Sequence, residues 1–413
     1  MPRTALISSL LLLMSLTPLA AAASTPSGSW VQEATLTASD ANSSSYVGEA
    51  GAIDGNTVAV SNGGTEVDVF TKPASGWKSM TQVAILTPSN SDFGLFGTSI
   101  AISGNTIVVG AANQTVNSNA RQGAVYVYVE PAGGWTNMTE TAMLTASDGA
   151  TGDRLGVSAG ISGNTIIAGS ANHNDYLGAA YVFVKPSGGW VSGTQTAELT
   201  ASSDANASEV GATVAISGNT AVAGALLSSG SLGQGGALVF VEPPTGWSDA
   251  NQIAVLATGE LNLSSVESVA INGNTVAAGA PRTTANGTLH AGSVFVWVKP
   301  SAGWSNISPT AVLTASDGVK NAYLGGSVGT NGTEIVAGAA YAAVGSNPQQ
   351  GAAYVFDEPA GGWVSMTESA KITLTNGQNG DLFGDVVGIS GGTIVSTAPA
   401  INQDEGAAYI FGY

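Results

Sequence analysis

Residues 135–190 read WTNMTETAMLTASDGATGDRLGVSAGISGNTIIAGSANHNDYLGAAYVFVKPSGGW, and this one stretch decides the fold. It opens and closes on tryptophan. Nearly the same passage recurs between Trp30, Trp77, Trp135, Trp190, Trp247, Trp304 and Trp363, at intervals of 47 to 59 residues. A period of that length is the mark of a solenoid, a propeller or an array, in which each unit is one supersecondary element.

Within the stretch four short segments have strand character. The first is Ala142 to Ala146, echoed at Ala34 to Ala38, Ala84 to Thr87, Ala197 to Ala201 and Ala311 to Ala315. The second runs from Leu155 to Ser162, with counterparts at Phe96 to Ser103, Val210 to Ser217 and Phe383 to Ser390. A Gly-Asn pair follows it at Gly104-Asn105, Gly163-Asn164, Gly218-Asn219 and Gly273-Asn274. Both residue types adopt positive φ at low cost, which is what a two-residue hairpin requires. The third segment, such as Thr106 to Gly110, is β-branched and ends in Gly-Ala. The fourth alternates Val, Tyr and Phe, as in Gly123 to Val129, Gly178 to Val184 and Gly351 to Phe356. Nothing in the unit has helical period.

Four antiparallel strands of about 5 to 6 residues per unit, repeated without interruption, predict an all-β, seven-bladed β-propeller. The second segment, rich in Gly, Ser and Ala, suits the crowded axis. Pairing the N-terminal strand, Val31 to Ala38, with the last blade closes the ring and removes both exposed edges. The count leaves one domain, residues 24–413. The tryptophans, each following a glycine turn at one place in the unit, are expected to pack at the blade rims rather than present an aromatic platform, and Trp297 to pack within or between blades.

Ahead of the domain, Met1, Pro2 and Arg3 precede an apolar run from Ala5 to Leu19 and the small residues Ala20 to Ala23. That pattern predicts a secretory signal peptide over residues 1–23 and a secreted, periplasmic or surface-exposed product. The apolar run is too short for a membrane span of about 20 residues, and no comparable run follows it. The chain carries 28 acidic residues against 10 basic, a formal net charge of −18. Such a surface repels nucleic acid and anionic membranes. With no cysteine there are neither disulfides nor thiolate metal sites, so a large core must supply the stability. Eight Asn-x-Ser/Thr sequons stand at Asn42, Asn113, Asn137, Asn206, Asn262, Asn286, Asn306 and Asn331, and their glycosylation is open.

Two recurring features carry a family resemblance. Phe96-Gly97 and Phe383-Gly384 open the second segment, with Leu155-Gly156, Val210-Gly211 and Leu324-Gly325 as variants. The third ends at Gly110-Ala111, Gly224-Ala225, Gly279-Ala280-Pro281 and Gly338-Ala339. The pattern resembles the FG-GAP repeat of integrin α-subunit propellers and their secreted bacterial relatives, over residues 30–413. The resemblance implies a closed seven-bladed ring, a role in adhesion, and Ca²⁺ in some blades on loops of DxDxDG type. Here the corresponding loops offer no alternating acidic positions, and Ca²⁺ needs about 6 to 8 oxygen ligands. The metal-ligand candidates are therefore weak ones: Asp175, Asp404 and Glu405 in those loops, and Asp148, Asp153 and Asp381 in the turns before the second segment. In the latter set, as at Asp40 and Asn42, an acidic or amide side chain is expected to fix its own turn.

The sequence offers little for catalysis. His173 and His290 are the only histidines, each alone in a loop, and are expected to be solvated. Tryptophan-docking repeats of quinone-dependent dehydrogenases and the boxes of sialidases share only fragments with this chain: the tryptophans follow Pro-x-Gly-Gly, and Arg121, Arg154 and Arg282 occupy non-equivalent positions. The expectation is a monomeric, non-catalytic module that binds an extracellular protein or glycan through its variable loops. A structural component without a ligand, and a propeller hydrolase or lyase using paired carboxylates, are the alternatives.

Overall fold

The computed structural model describes residues 29–90, 92–229, 232–261 and 266–413. The signal peptide expected over residues 1–23 and the sequon at Asn262 lie outside the described residues. Seven strands, Gly51–Asp54, Phe96–Ser103, Ser158–Ser162, Val214–Ser217, Ser268–Asn272, Val328–Thr330 and Val387–Ser390, pack each against the next and close a ring about a central axis. They are the inner strands of blades 1 to 7 in that order, and the structure is the expected all-β propeller.

Blade 2 shows the plan. Phe96–Ser103 pairs antiparallel with Thr106–Ala111, that strand with Ala124–Val129, and that one with the outer strand Ala142–Thr145. The outer strand therefore comes after Trp135, so each tryptophan-to-tryptophan unit of sequence gives its first strand to the preceding blade. For blade 7 that strand is the N-terminal one. Val31–Thr37 pairs antiparallel with Ala407–Gly412, in a register running from Val31 opposite Gly412 to Leu36 opposite Ala408. This closes the ring and covers both edges that an open sheet would expose.

A fifth, two-residue strand was not apparent in the sequence. Met80–Thr81, Met138–Thr139, Gly193–Thr194, Ala250–Asn251 and Met366–Thr367 each pair parallel with the outer strand of the preceding blade. Flanking side chains tighten the strap. Asn137 Oδ1 accepts the Ile85 N–H at 2.9 Å, and the Glu140 carboxylate accepts the Ser89 N–H at 2.8 Å and hydroxyl at 2.6 Å.

The paired glycines of the repeat have a packing reason. The second residue of the opening dipeptide has φ between +88° and +92° at Gly156, Gly211, Gly325 and Gly384, a region that L-residues avoid. Its N–H donates to the carbonyl at the end of its own blade's second strand, as from Gly156 to Gly169 O at 2.9 Å. Its own carbonyl points at the second strand of the preceding blade, where a Cβ on Gly110, Gly169, Gly279 or Gly338 would collide with it. The two glycines thus let neighbouring backbones touch. The hydrophobic residue before the first glycine, Val47, Phe96, Leu155, Val210, Leu324 or Phe383, is fully buried and forms part of the apolar clusters that join blade to blade. Trp77, Trp135, Trp190, Trp247, Trp304 and Trp363 are 4–8 % exposed, and Trp297 is fully buried.

Candidate functional site

Strand direction alternates within a blade, so the loops joining second to third strands and the loops entering each new inner strand emerge at one end of the ring. They are also tied together across blades: Leu155 N–H donates to Gln122 O, Val210 N–H to Leu177 O and Phe383 N–H to Gln350 O. Among the described residues, four large aromatic side chains are exposed on this face, Tyr46, Phe93, Tyr176 and Tyr341. The opposite face carries the Gly-Asn hairpins and the tryptophan-bearing loops, and the exposed large apolar side chains there are mostly aliphatic, such as Val83, Val191, Ile253 and Val364, with Tyr413 beside the last blade's hairpin.

Where blades 5, 6 and 7 meet on the aromatic face, a cavity of about 480 Å³ is lined by Glu267, Arg282, Tyr323, Tyr341 and Asp385 among others. Tyr323 and Tyr341 are the rings of its wall, and His290, which does not line it, packs on Tyr323. His290 stacks on Tyr323 with centroids 5.8 Å apart, and Tyr341 meets Tyr323 edge-on at 5.5 Å. Arg282 Nε donates to Glu267 Oε1 at 2.8 Å, an exposed pair that holds the guanidinium at the rim. Burial and the nearby Glu49 push the Asp385 carboxyl up to about 6. The pocket thus offers apolar ring faces beside a fixed cation and titratable acids.

Blade 3 gathers a second group. The Asp153 carboxylate accepts the Ala150 N–H at 2.9 Å, fixing its turn, and the same Oδ2 lies 2.9 Å from His173 Nδ1. On the other side of the imidazole, Nε2 stands 3.6 Å from Asp148 Oδ2 and 3.7 Å from Glu198 Oε1. His173 is not solvated as its loop position suggested; its side chain is 15 % exposed and surrounded by three carboxylates. Tyr181 donates its hydroxyl to Asp148 Oδ1 at 3.1 Å. Burial first, then Asp148, raises the Glu198 carboxyl, and His173 partly offsets both.

Blade 6 repeats the frame with one charge reversed. Tyr354 donates to Asp317 Oδ1 at 2.9 Å, as Tyr181 does to Asp148. Opposite Tyr354 in the register is Lys371, where Glu198 stands opposite Tyr181. Its ammonium donates to Asp317 Oδ2 at 2.6 Å and lies 5.3 Å from the Tyr354 ring centre. Burial raises the Asp317 carboxyl, but the hydrogen bonds from Lys371 and Tyr354 outweigh it and leave Asp317 below its ordinary value.

In blade 1 the Asn62 amide donates to Asp40, Glu66 and Asp68 at 3.3, 2.8 and 3.2 Å. Asp68 is fully buried and one of its oxygens lacks a partner. Burial and the neighbouring acids raise Glu66 to about 7 and Asp68 to about 8.

The other candidates fall apart in space. Asp381 accepts the Gln378 N–H at 2.6 Å and so fixes its turn. Asp175 is exposed with φ +56°. Asp404 accepts the Tyr46 hydroxyl at 3.2 Å, and the Glu405 backbone carbonyl accepts the Val47 N–H. None joins three or more acidic or imidazole donors: among the described residues only Asp148, His173 and Glu198 do so. The donors at Asp175, Asp404 and Glu405 therefore do not fit an integrin-type calcium loop, which needs several carboxylates on one ion.

The sequence pattern described as the FG-GAP repeat matches this chain five times, at residues 30–72, 80–128, 138–183, 307–356 and 366–411. No curated protein sequence matches the chain. Among solved structures, a chain of "Crystal Structure of Mitotic Checkpoint Complex" superposes with a TM-score of 0.56 at 15 % identity, covering 96 % of this chain and 99 % of that one. At that identity the likeness is one of fold alone. No helix among the described residues is long and apolar enough to cross a membrane.

Proposed function

This chain belongs to the FG-GAP repeat family, and from that premise we propose that it is an exported, non-catalytic binding module whose ligand, an extracellular protein or glycan, docks on the aromatic loop face. The observation that carries the reading is the ring-lined cavity between blades 5 and 7. Tyr323 and Tyr341 offer flat apolar faces that suit a sugar ring or a side chain. Arg282, Glu267 and Asp385 stand ready for its polar groups. The neighbouring loops differ in sequence from blade to blade far more than the strands do, which supports a role for them in specificity.

The test is a screen of purified residues 24–413 against arrayed glycans and extracellular proteins, with calcium and again with chelator. The reading predicts saturable binding that survives chelation, because the cavity is built from side chains alone. Binding lost under chelation would replace it with a calcium-dependent adhesion module. An array without any hit would leave a structural propeller.

A further inference from the structure

We propose that blade 3 holds one divalent transition-metal ion of the zinc class, bound by Asp148, His173 and Glu198, with Asp153 orienting the imidazole. Three elements of the blade bring these groups together: the loop entering it, the loop between its second and third strands, and its outer strand Ala197–Thr200. Separations of 3.6 and 3.7 Å from Nε2 to the two carboxylates are too long for hydrogen bonds. They suit ligands on one tetrahedral ion, which bonds of ~2.0–2.2 Å hold roughly 3.3–3.6 Å apart. All three donor atoms lie within 4.8 Å of one another.

The imidazole is aimed for this task. Asp153 faces Nδ1 at 2.9 Å, so in neutral histidine the proton belongs on Nδ1 and the Nε2 lone pair points at Asp148 and Glu198. A lone pair turned toward two carboxylates is repulsive unless a cation lies between them. Blade 6 shows what the same frame does when the chain supplies its own cation: Lys371 occupies the position of Glu198 and binds the acid equivalent to Asp148. Blade 3 has exchanged that ammonium for a third carboxylate. A cavity of about 490 Å³ bordered by His173, Glu198 and Thr200 gives an ion access and room for water as a fourth ligand.

Residues 24–413, stripped of metal by chelation, should bind Zn²⁺ in calorimetry at one ion per chain. Co²⁺ in its place should show the intense visible absorption of a tetrahedral N/O site. His173→Gln should weaken Zn²⁺ binding at least tenfold. Glu198→Lys, which copies blade 6, should abolish it while melting above the metal-free parent. Circular dichroism confirms folding, and Glu198→Gln serves if the lysine variant does not fold. The proposal is overturned if Zn²⁺ does not bind at one per chain, or if both substitutions leave binding unchanged.

Discussion

Gly384 has φ +91°, and a Cβ there would meet the Ala352 carbonyl, so neither strain nor contact can be relieved without parting blades 6 and 7. Gly384→Val is therefore expected to cost about 2 kcal/mol or more, read as a lower denaturant midpoint, whereas Gly133→Ala, with no heavy atom within 4 Å of the added Cβ and no positive φ, leaves it within error. Asp68 yields a second prediction. Folded, Asp68 and Glu66 keep their protons up to about 8 and about 7; unfolded, they release them near pH ~4. The folded state binds more protons between those limits, so this contribution to stability is full below pH ~4 and is lost as pH rises through 7 to 8. Asp68→Asn should raise Tm at pH 8.5 by about 2 °C or more, with the gain smaller at pH 5 and vanishing toward pH ~4; a gain that is equal at pH 8.5 and pH 5 would contradict the titration. Neither acid was apparent as a pair from sequence, because Asp68 interrupts a strand at the position that is tyrosine in blades 2, 3, 6 and 7, and only the sheet places it beside Asp40.

At the scale of elements, the N-terminal strand is the fastening of the ring. Removing residues 24–38 uncovers the edge of Ala407–Gly412, so the truncated chain should melt lower than the parent and associate in sizing chromatography. A truncated chain that stays monomeric with unchanged Tm would mean that the last blade does not need its fourth strand. The strands, their hairpins and this closure were legible because β-branched alternation and Gly-Asn turns are local signals that recur in every unit. The two-residue parallel strands were not legible, since Met138–Thr139 and its counterparts are too short to carry a period and are defined only by a neighbouring blade. The blade 3 cluster was hidden for a related reason: Asp148, His173 and Glu198 lie on three elements, and none looks unusual alone. A signal did exist. Among the outer strands ATLT, AILT, AMLT, AELT, AVLA, AVLT and AKIT, the second position is charged only at Glu198 and Lys371, and in both blades a tyrosine stands opposite.

Across the whole molecule, seven nearly equivalent blades leave little room for chemistry in the frame itself, and what distinguishes one blade from another collects on a single end of the ring. Tyr46, Phe93, Tyr176, the Tyr323–Tyr341 cavity and the blade 3 cluster are all there, while the other end presents, beside Tyr413, repeated hairpins latched by Ser103, Ser162 and Ser217 to the glycine N–H of the next blade. That asymmetry is what makes recognition by one face the central claim. It is tested most directly by titrating the strongest array ligand against Tyr341→Ala on the aromatic face and Val364→Ala on the other, both confirmed folded. Loss of a buried aromatic contact should lower affinity roughly tenfold for Tyr341→Ala and leave Val364→Ala unchanged; an unaffected Tyr341→Ala together with a weakened Val364→Ala would put the ligand on the opposite face and contradict the account.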